Sequence, residues 1–115
     1  MRVGPLPKSW LIHTIIYEEK IPGKDSYGNP LFDNPVAIER VRFDDSTVFS
    51  RDNTQTKVLA DAVIFVDSTN SINVPSRFVE ESKITFNGRG YVLKKIVDCY
   101  YPRKNEIRHF ELEVI

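Results

Sequence analysis

The sequence predicts an all-β fold, a compact sandwich or barrel of short antiparallel strands. Segments rich in β-branched and aromatic residues alternate with turns that contain proline, glycine, asparagine and aspartate. An Asn-Gly pair lies between two apolar runs, and the last segment alternates apolar with polar residues. No long helix is predicted, and Ser76–Glu81 is expected to form at most one short helical turn.

The first half of the chain predicts two strands. Ile12–Glu18 is rich in residues that favour strands, and the turn-forming segment Asp25–Pro30 follows it. Val36–Phe43 is predicted as the second strand. Its apolar residues change phase between Ile38 and Val41, which indicates a β-bulge at that point.

The second half predicts further strands. Ala60–Val66 is almost continuously apolar, which is typical of a strand buried on both faces. The polar segment Asp67–Asn73 is predicted as a loop from its composition. In Arg108–Val114, apolar residues alternate with a histidine and two glutamates, so this strand is expected to bury one face.

The strongest local signal is a β-hairpin near the C-terminal third. Asn87-Gly88 suits the tip because both residue types tolerate a positive φ. Gly90 is expected at a bulge beside the turn. The second arm of the hairpin is expected to run to Tyr100 or Tyr101, since Pro102 then ends the strand.

Length and charge limit the possible functions. The 115 residues suit one β domain, with an N-terminal arm at residues 1–11. The 16 basic residues equal the 16 acidic residues, whereas a domain that binds nucleic-acid phosphates usually carries a clear basic excess. The balance therefore argues against a dedicated DNA- or RNA-binding domain.

Cysteine usage and the N-terminal residues predict a cytosolic protein when it is first made. Cys99 is the single cysteine, so no disulfide can form within the chain. The first residues lack the apolar run of a secretory signal. No segment approaches the roughly 20 apolar residues of a membrane-spanning helix.

One long polar segment lacks both proline and glycine, and we predict that it is a functional loop. Long loops in compact domains are usually functional or disordered, and this one is expected to order against a neighbouring molecule. The segment consists of Asp44, Asp45, Ser46, Thr47, Val48, Phe49, Ser50, Arg51, Asp52, Asn53, Thr54, Gln55, Thr56 and Lys57.

The sequence predicts neither a catalytic residue set nor a bound metal or cofactor. His13 and His109 are the only histidines, and with Cys99 they do not form a recognised zinc-ligand spacing. A nucleophilic cysteine needs a neighbouring base, and His109 could approach Cys99 across a strand pair. No local motif supports an activated thiol, so a buried or half-buried cysteine is the preferred interpretation.

Three aromatic residues are predicted to form interfaces. Trp10 lies in a proline-bracketed arm and is expected to fix that arm to the protein body or to a partner. Tyr100 and Tyr101 lie among basic residues that could hold phosphates while the rings stack on bases. Nearby acidic residues dilute this charge, so an interface role is preferred for both tyrosines.

Several short segments, in one order over nearly the whole chain, match the landmarks of a known family. They are Pro7–Thr14 (PKSWLIHT), Tyr27–Pro30, Val41-Arg42, Arg51-Asp52, Ala60–Phe65, Asn70-Ser71, Lys83–Gly88 and His109–Leu112. In these segments the chain resembles the minor capsid proteins of phages and prophages of Gram-positive bacteria.

This family is similar to the head-completion, or stopper, proteins of long-tailed phages. The resemblance implies a small β-barrel with a long loop, a structural and non-enzymatic protein of the virion neck. It implies a homo-oligomeric ring below the portal and adaptor, which retains packaged DNA and receives the tail. Asp44–Lys57 would then be the channel loop, meeting DNA only transiently, with no membrane or small-molecule substrate involved.

Two other functions stay open from the sequence. Another ring protein of the neck or tail, such as an adaptor or tail terminator, would share the same features. A small OB-like nucleic-acid-binding barrel is the alternative from a different class, although the neutral charge disfavours it.

Overall fold

The computed structural model describes residues 4–45, 48–49 and 58–115, with only the backbone described at residues 48, 49, 58 and 59. Ten strands lie in these ranges. They are β1 (His13–Glu18), β2 (Lys20–Lys24), β3 (Pro30–Phe32), β4 (Val36–Asp44), β5 (Val48–Phe49), β6 (Val58–Ala60), β7 (Ala62–Asp67), β8 (Lys83–Phe86), β9 (Arg89–Tyr100) and β10 (Ile107–Val114).

Six strands close into an antiparallel barrel in the order β1-β4-β7-β10-β9-β8, which confirms the predicted small β-barrel. The pairs β2–β3 and β5–β6 form two small separate sheets. The described ranges contain no helix, and therefore none that is long and apolar enough to span a membrane. Ser76–Glu81 forms bends and a turn instead of a helical turn.

Antiparallel pairing gives the barrel two ends. At one end, which we call the loop end, β4 finishes at Asp44, β7 begins at Ala62 and the β8–β9 hairpin turns at Asn87-Gly88. At the opposite end, the far end, β7 finishes at Asp67 and β9 finishes at Tyr100. The long polar segment therefore leaves from the end opposite the two tyrosines.

The barrel interior is filled by side chains from every one of its six strands. In β10, Phe110, Leu112 and Val114 point inwards and are buried, as their alternation predicted. Burying apolar area of this kind supplies most of the stabilisation of a small domain. The central cluster is Ile15, Tyr17, Ile38, Val41, Phe43, Ala62, Ile64, Val66, Phe78, Ile84, Tyr91, Leu93, Phe110, Leu112 and Val114.

The predicted bulge in the second strand is confirmed. The β1–β4 register slips at Arg40, which has a positive φ of 58°. The extra residue turns both Ile38 and Val41 into the core, where each is fully buried. The phase change of the apolar residues in the sequence therefore corresponds to the β-bulge at Arg40.

The predicted hairpin is confirmed at its tip and at its second arm, but the Gly90 bulge is wrong. Asn87 and Gly88 have φ values of 50° and 78°, as a two-residue turn of this type requires. Gly90 pairs with Thr85 in regular register. Because the turn itself absorbs both positive-φ residues, no extra residue has to be accommodated beside it.

Two other predictions need correction. The turn predicted at Asp25–Pro30 is present but ends one residue earlier, because Pro30 begins β3, and it joins the two strands of the unpredicted hairpin β2–β3. The apolar segment at residues 60–66 is not one strand buried on both faces. It is interrupted at Asp61, and Val63 and Phe65 are only half-buried on the outer wall. That wall is covered in part by the N-terminal arm.

The barrel closes through a short contact between β1 and β8. Only three residue pairs join these strands. Tyr17 and Ser82 reinforce the contact, since their hydroxyls lie 3.4 Å apart and the Val79 amide donates to the Tyr17 hydroxyl at 3.0 Å. The Ser82 hydroxyl also accepts a hydrogen bond of 2.9 Å from the Lys20 amide. The segment before β8 is thereby fixed across the seam.

Asp67 connects the N-terminal arm to the far end of the barrel. Its carboxylate is fully buried and accepts hydrogen bonds from the backbone amides of Leu6, Thr69 and Asn70, at 2.9, 2.9 and 2.7 Å. The Asn70 side-chain amide returns a bond of 2.7 Å to the Leu6 carbonyl. One carboxylate thus holds two chain segments that are distant in sequence.

Replacing Asp67 by asparagine should lower the free energy of unfolding by about 2–4 kcal/mol, because an amide cannot accept all three bonds and turns a donor towards backbone donors. Urea unfolding measures the change. Asp98→Asn, at an exposed position of β9, is the matched control and should change the free energy of unfolding by less than about 0.5 kcal/mol. Equal losses in the two variants would contradict the role of Asp67.

Candidate interaction surfaces

The N-terminal arm lies against the outer wall of the barrel. The Trp10 ring meets the Phe65 ring edge-on at 5.0 Å, and the Arg42 guanidinium lies 5.3 Å from the Trp10 ring centre. The Arg108 side chain donates a hydrogen bond of 2.8 Å to the Gly4 carbonyl. Of the two roles expected for Trp10, the structure shows the one in which it fixes the arm to the protein body. A partner contact by Trp10 stays a prediction.

Tyr100 and Tyr101 lie at the far end, where β9 finishes. The Tyr100 side chain is 53% exposed, and the Lys104 ammonium lies 5.5 Å from the Tyr101 ring centre. The Tyr101 amide donates a hydrogen bond of 3.0 Å to the Glu106 carbonyl, and this bond joins the two sides of the loop between β9 and β10. Tyr100 is therefore available to a partner, while Tyr101 is partly engaged within its own loop.

The proposed channel loop begins in ordered strands. Asp44 is the last residue of β4, and Asp45 is exposed. Val48–Phe49 pairs with β6, so part of the predicted loop is a short two-stranded sheet. The remaining residues assigned to the loop, 46–47 and 50–57, lie outside the described residues.

An aromatic cluster underlies the base of this loop. The Phe43 and Phe86 rings stack at 4.2 Å, and the His13 ring meets Phe86 edge-on at 5.0 Å. The His13 Nδ1 accepts a hydrogen bond of 3.0 Å from the Phe43 amide. Burial, with a smaller contribution from the Arg42 charge, lowers the pKa of His13 below its ordinary value, so the neutral ring that this bond requires is favoured. The loop therefore leaves from a firmly packed platform.

The β2–β3 hairpin presents a different surface beside β1. Tyr27 lies near its tip and is 88% exposed. The turn itself is well defined, because the Asp25 carboxylate accepts bonds from the backbone amides of Tyr27 and Asn29 at 2.8 and 2.9 Å. These bonds lower the pKa of Asp25. A large exposed ring on a structured turn is typical of a contact residue.

A small groove lies at the base of the same hairpin. Its volume is about 170 Å³, below the range of roughly 300–1,000 Å³ that is usual for small-molecule sites. The lining residues are Tyr17, Glu19, Asp33, Asn34, Val36, Asn73 and Pro75.

Cys99 is half-buried, as predicted, and it faces His109 across the β9–β10 pair. His13 lies at the loop end, away from Cys99 and His109. Glu111, which the sequence did not indicate, contacts both Cys99 and His109, because the pairing of β9 with β10 brings these three residues together. Burial, with help from the Glu111 carboxylate, raises the pKa of the Cys99 thiol to about 11. The thiol is thus protonated near neutral pH and is a poor nucleophile.

The described residues thus form a closed antiparallel barrel with a docked arm and an exposed hairpin. Among known proteins, residues 7–114 match the family model described as minor capsid protein. The chain therefore belongs to the minor capsid protein family, whose members are phage structural proteins. No curated protein and no solved structure matches this chain.

Removing the Phe65 ring should loosen the part of the N-terminal arm around Trp10 while leaving the barrel folded, because Leu6 stays bonded to Asp67 and Asn70. Phe65→Ala removes an aromatic contact worth about 0.5–1.5 kcal/mol beyond its buried area. Trp10 is the only tryptophan, so its fluorescence should shift to the red, and trypsin should cleave faster after Lys8. Tyr27→Ala, at an exposed ring, should change neither reading. Unchanged fluorescence and unchanged cleavage in Phe65→Ala would contradict the role of the contact between Trp10 and Phe65.

Proposed function

We propose that this protein is a subunit of the head–tail connector, where a ring of copies below the portal and adaptor retains packaged DNA and receives the tail. The proposal rests on one combination of features. The chain belongs to the minor capsid protein family, and it folds as a small barrel whose long polar loop begins at one end. As a member of a capsid family it interacts with other components of the virion. The ring, its position and its neighbours are the parts we add.

The two ends of the barrel support a place in a stack of rings. A subunit in such a stack meets one neighbouring ring at each end and like subunits at its sides. The loop end carries the loop base at Asp44, and the far end carries the exposed Tyr100. The β2–β3 hairpin with Tyr27 supplies a projection that could contact an adjacent copy. Different surfaces are thus available for each type of contact.

The charge of Asp44–Lys57 suits a gate that contacts DNA without holding it. Three aspartates oppose one arginine and one lysine, so the segment has a net negative charge. Phosphate binding depends on basic residues, so such a segment obstructs a channel sterically rather than by gripping DNA. A change in the direction or order of the loop would then open the channel.

The alternatives differ in position or in class. An adaptor or tail terminator would use the same surfaces at another level of the neck. An OB-like module would need a clear basic excess to bind phosphates, whereas the chain has equal numbers of basic and acidic residues. The connector subunit therefore remains the better supported function.

Immunogold labelling of the source phage tests the position. An antibody to this chain should label one neck vertex on intact particles and on tail-less, DNA-filled heads. Heads without this protein serve as the control for specificity. Label along the tail or over the whole shell would contradict the connector position, and label on tailed particles alone would favour a tail terminator.

Shortening the loop tests the gate. Replacing residues 50–57 by Asn-Gly joins β5 directly to β6 through a two-residue hairpin turn. The barrel should fold normally by circular dichroism, while filled heads should lose their DNA because the obstruction is shorter. A Gly/Ser segment of the original length is the matched control, and it should retain more DNA. Full retention by the Asn-Gly variant would contradict the gating role.

A further inference from the structure

Three side chains with metal-binding atoms converge on the outer wall between β9 and β10. Cys99 lies directly opposite His109 in the strand register. Glu111 lies two residues beyond His109, so both side chains leave β10 on the same face. One ligand atom from each of the three residues lies within 4.8 Å of the other two.

The polar atoms of this cluster are bonded mainly to one another. The Cys99 Sγ and the His109 Nε2 each lie 3.1 Å from the same Glu111 Oε2. Within the described ranges, the sulfur makes one other hydrogen-bond contact, a long one of 4.0 Å to the Val97 carbonyl. The His109 side chain is 10% exposed, and its Nδ1 is buried with no hydrogen-bond partner among the described residues. One carboxylate oxygen thus lies within hydrogen-bond distance of both side chains, and a buried ring nitrogen has no partner among the described residues.

We propose that Cys99, His109 and Glu111 form a binding site for a divalent transition metal of the zinc class. A tetrahedral zinc ion holds sulfur at about 2.3 Å and nitrogen or oxygen at about 2.0–2.2 Å, which places its ligand atoms roughly 3–4 Å apart. The two contacts of 3.1 Å to Glu111 already lie in that range. Small side-chain movements would therefore bring the three atoms around one ion.

The chemistry of the ligands favours zinc over harder cations. A thiolate, an imidazole and a carboxylate are a mixed soft and borderline set, whereas magnesium and calcium prefer oxygen ligands alone. Thiolate and carboxylate together carry two negative charges, which neutralise a divalent ion. On binding, the Cys99 S–H bond is broken, its proton goes to solvent and sulfur donates to the metal. The His109 ring donates through Nε2, the nitrogen that faces Glu111, in the tautomer that carries its proton on Nδ1.

The site has three protein ligands and an open side. The Glu111 side chain is 34% exposed, so water can reach the cluster and complete a four-coordinate ion. An ion there would link β9 to β10 beside Phe65, whose ring centre lies 6.2 Å from that of His109. Because Phe65 also holds Trp10, the metal would stabilise the wall on which the N-terminal arm rests.

Metal titration of the purified full chain tests the proposal. After treatment with a chelator, the protein should bind one Zn²⁺ per chain by calorimetry, and one Co²⁺ with the absorption of a cobalt–thiolate bond. Zn²⁺ should also slow modification of Cys99 by a thiol reagent and raise the thermal midpoint. Mg²⁺ should do neither.

The variants separate a built site from adventitious binding. Cys99→Ser should abolish the cobalt–thiolate absorption, and Cys99→Ser and Glu111→Gln should each weaken zinc binding by about 100-fold or more. Glu113→Gln, on the same face of β10 outside the cluster, should bind zinc like the original chain. Binding that is equal in all variants would show an adventitious ion only, and no binding to the original chain would overturn the proposal. Neither result bears on the connector function.

Discussion

The barrel depends on the closure between β1 and β8, because an open sheet of this sequence would leave two unpaired edges and an uncovered core. The contact is short, with three residue pairs, so it needs support from side chains. Tyr17 and Ser82 provide that support by tying the segment before β8 to β1 and to the start of β2. Closure fixes the two ends of the barrel, and these ends present the loop base and Tyr100 to the neighbouring rings that we propose.

The outer wall is stabilised in a different way from the interior. Along β4, β7 and β10, outward residues form a row in which Arg42 pairs with Phe65 and Phe65 pairs with Glu111. The Trp10 ring packs against Phe65 in this row, and the Asp67 carboxylate binds the Leu6 amide near the start of the arm. The arm thus shields half-buried strand positions that would otherwise present an apolar surface. Beside this row lies the cluster that we propose as a metal site.

Family membership and architecture contribute different parts of the functional argument. The family shows a phage structural protein, and the architecture shows which surfaces a neighbouring molecule could meet. The loop end combines a rigid aromatic platform with a polar segment, whereas the far end exposes Tyr100. In the ring that we propose, the packed barrel would maintain the contacts between copies, and the polar segment would obstruct the channel.

The sequence by itself determined the strand character, the bulge at Arg40 and the turn at Asn87-Gly88, because these depend on local periodicity and on residues that tolerate positive φ. It also identified the family through ordered local motifs. Strand order, barrel closure and the arm held by Asp67 were decided only by the tertiary structure. They join residues as far apart as Leu6 and Asp67, and such pairings leave no local pattern. The cluster around Glu111 is a further case, since its ligands come from two strands whose register the sequence does not reveal.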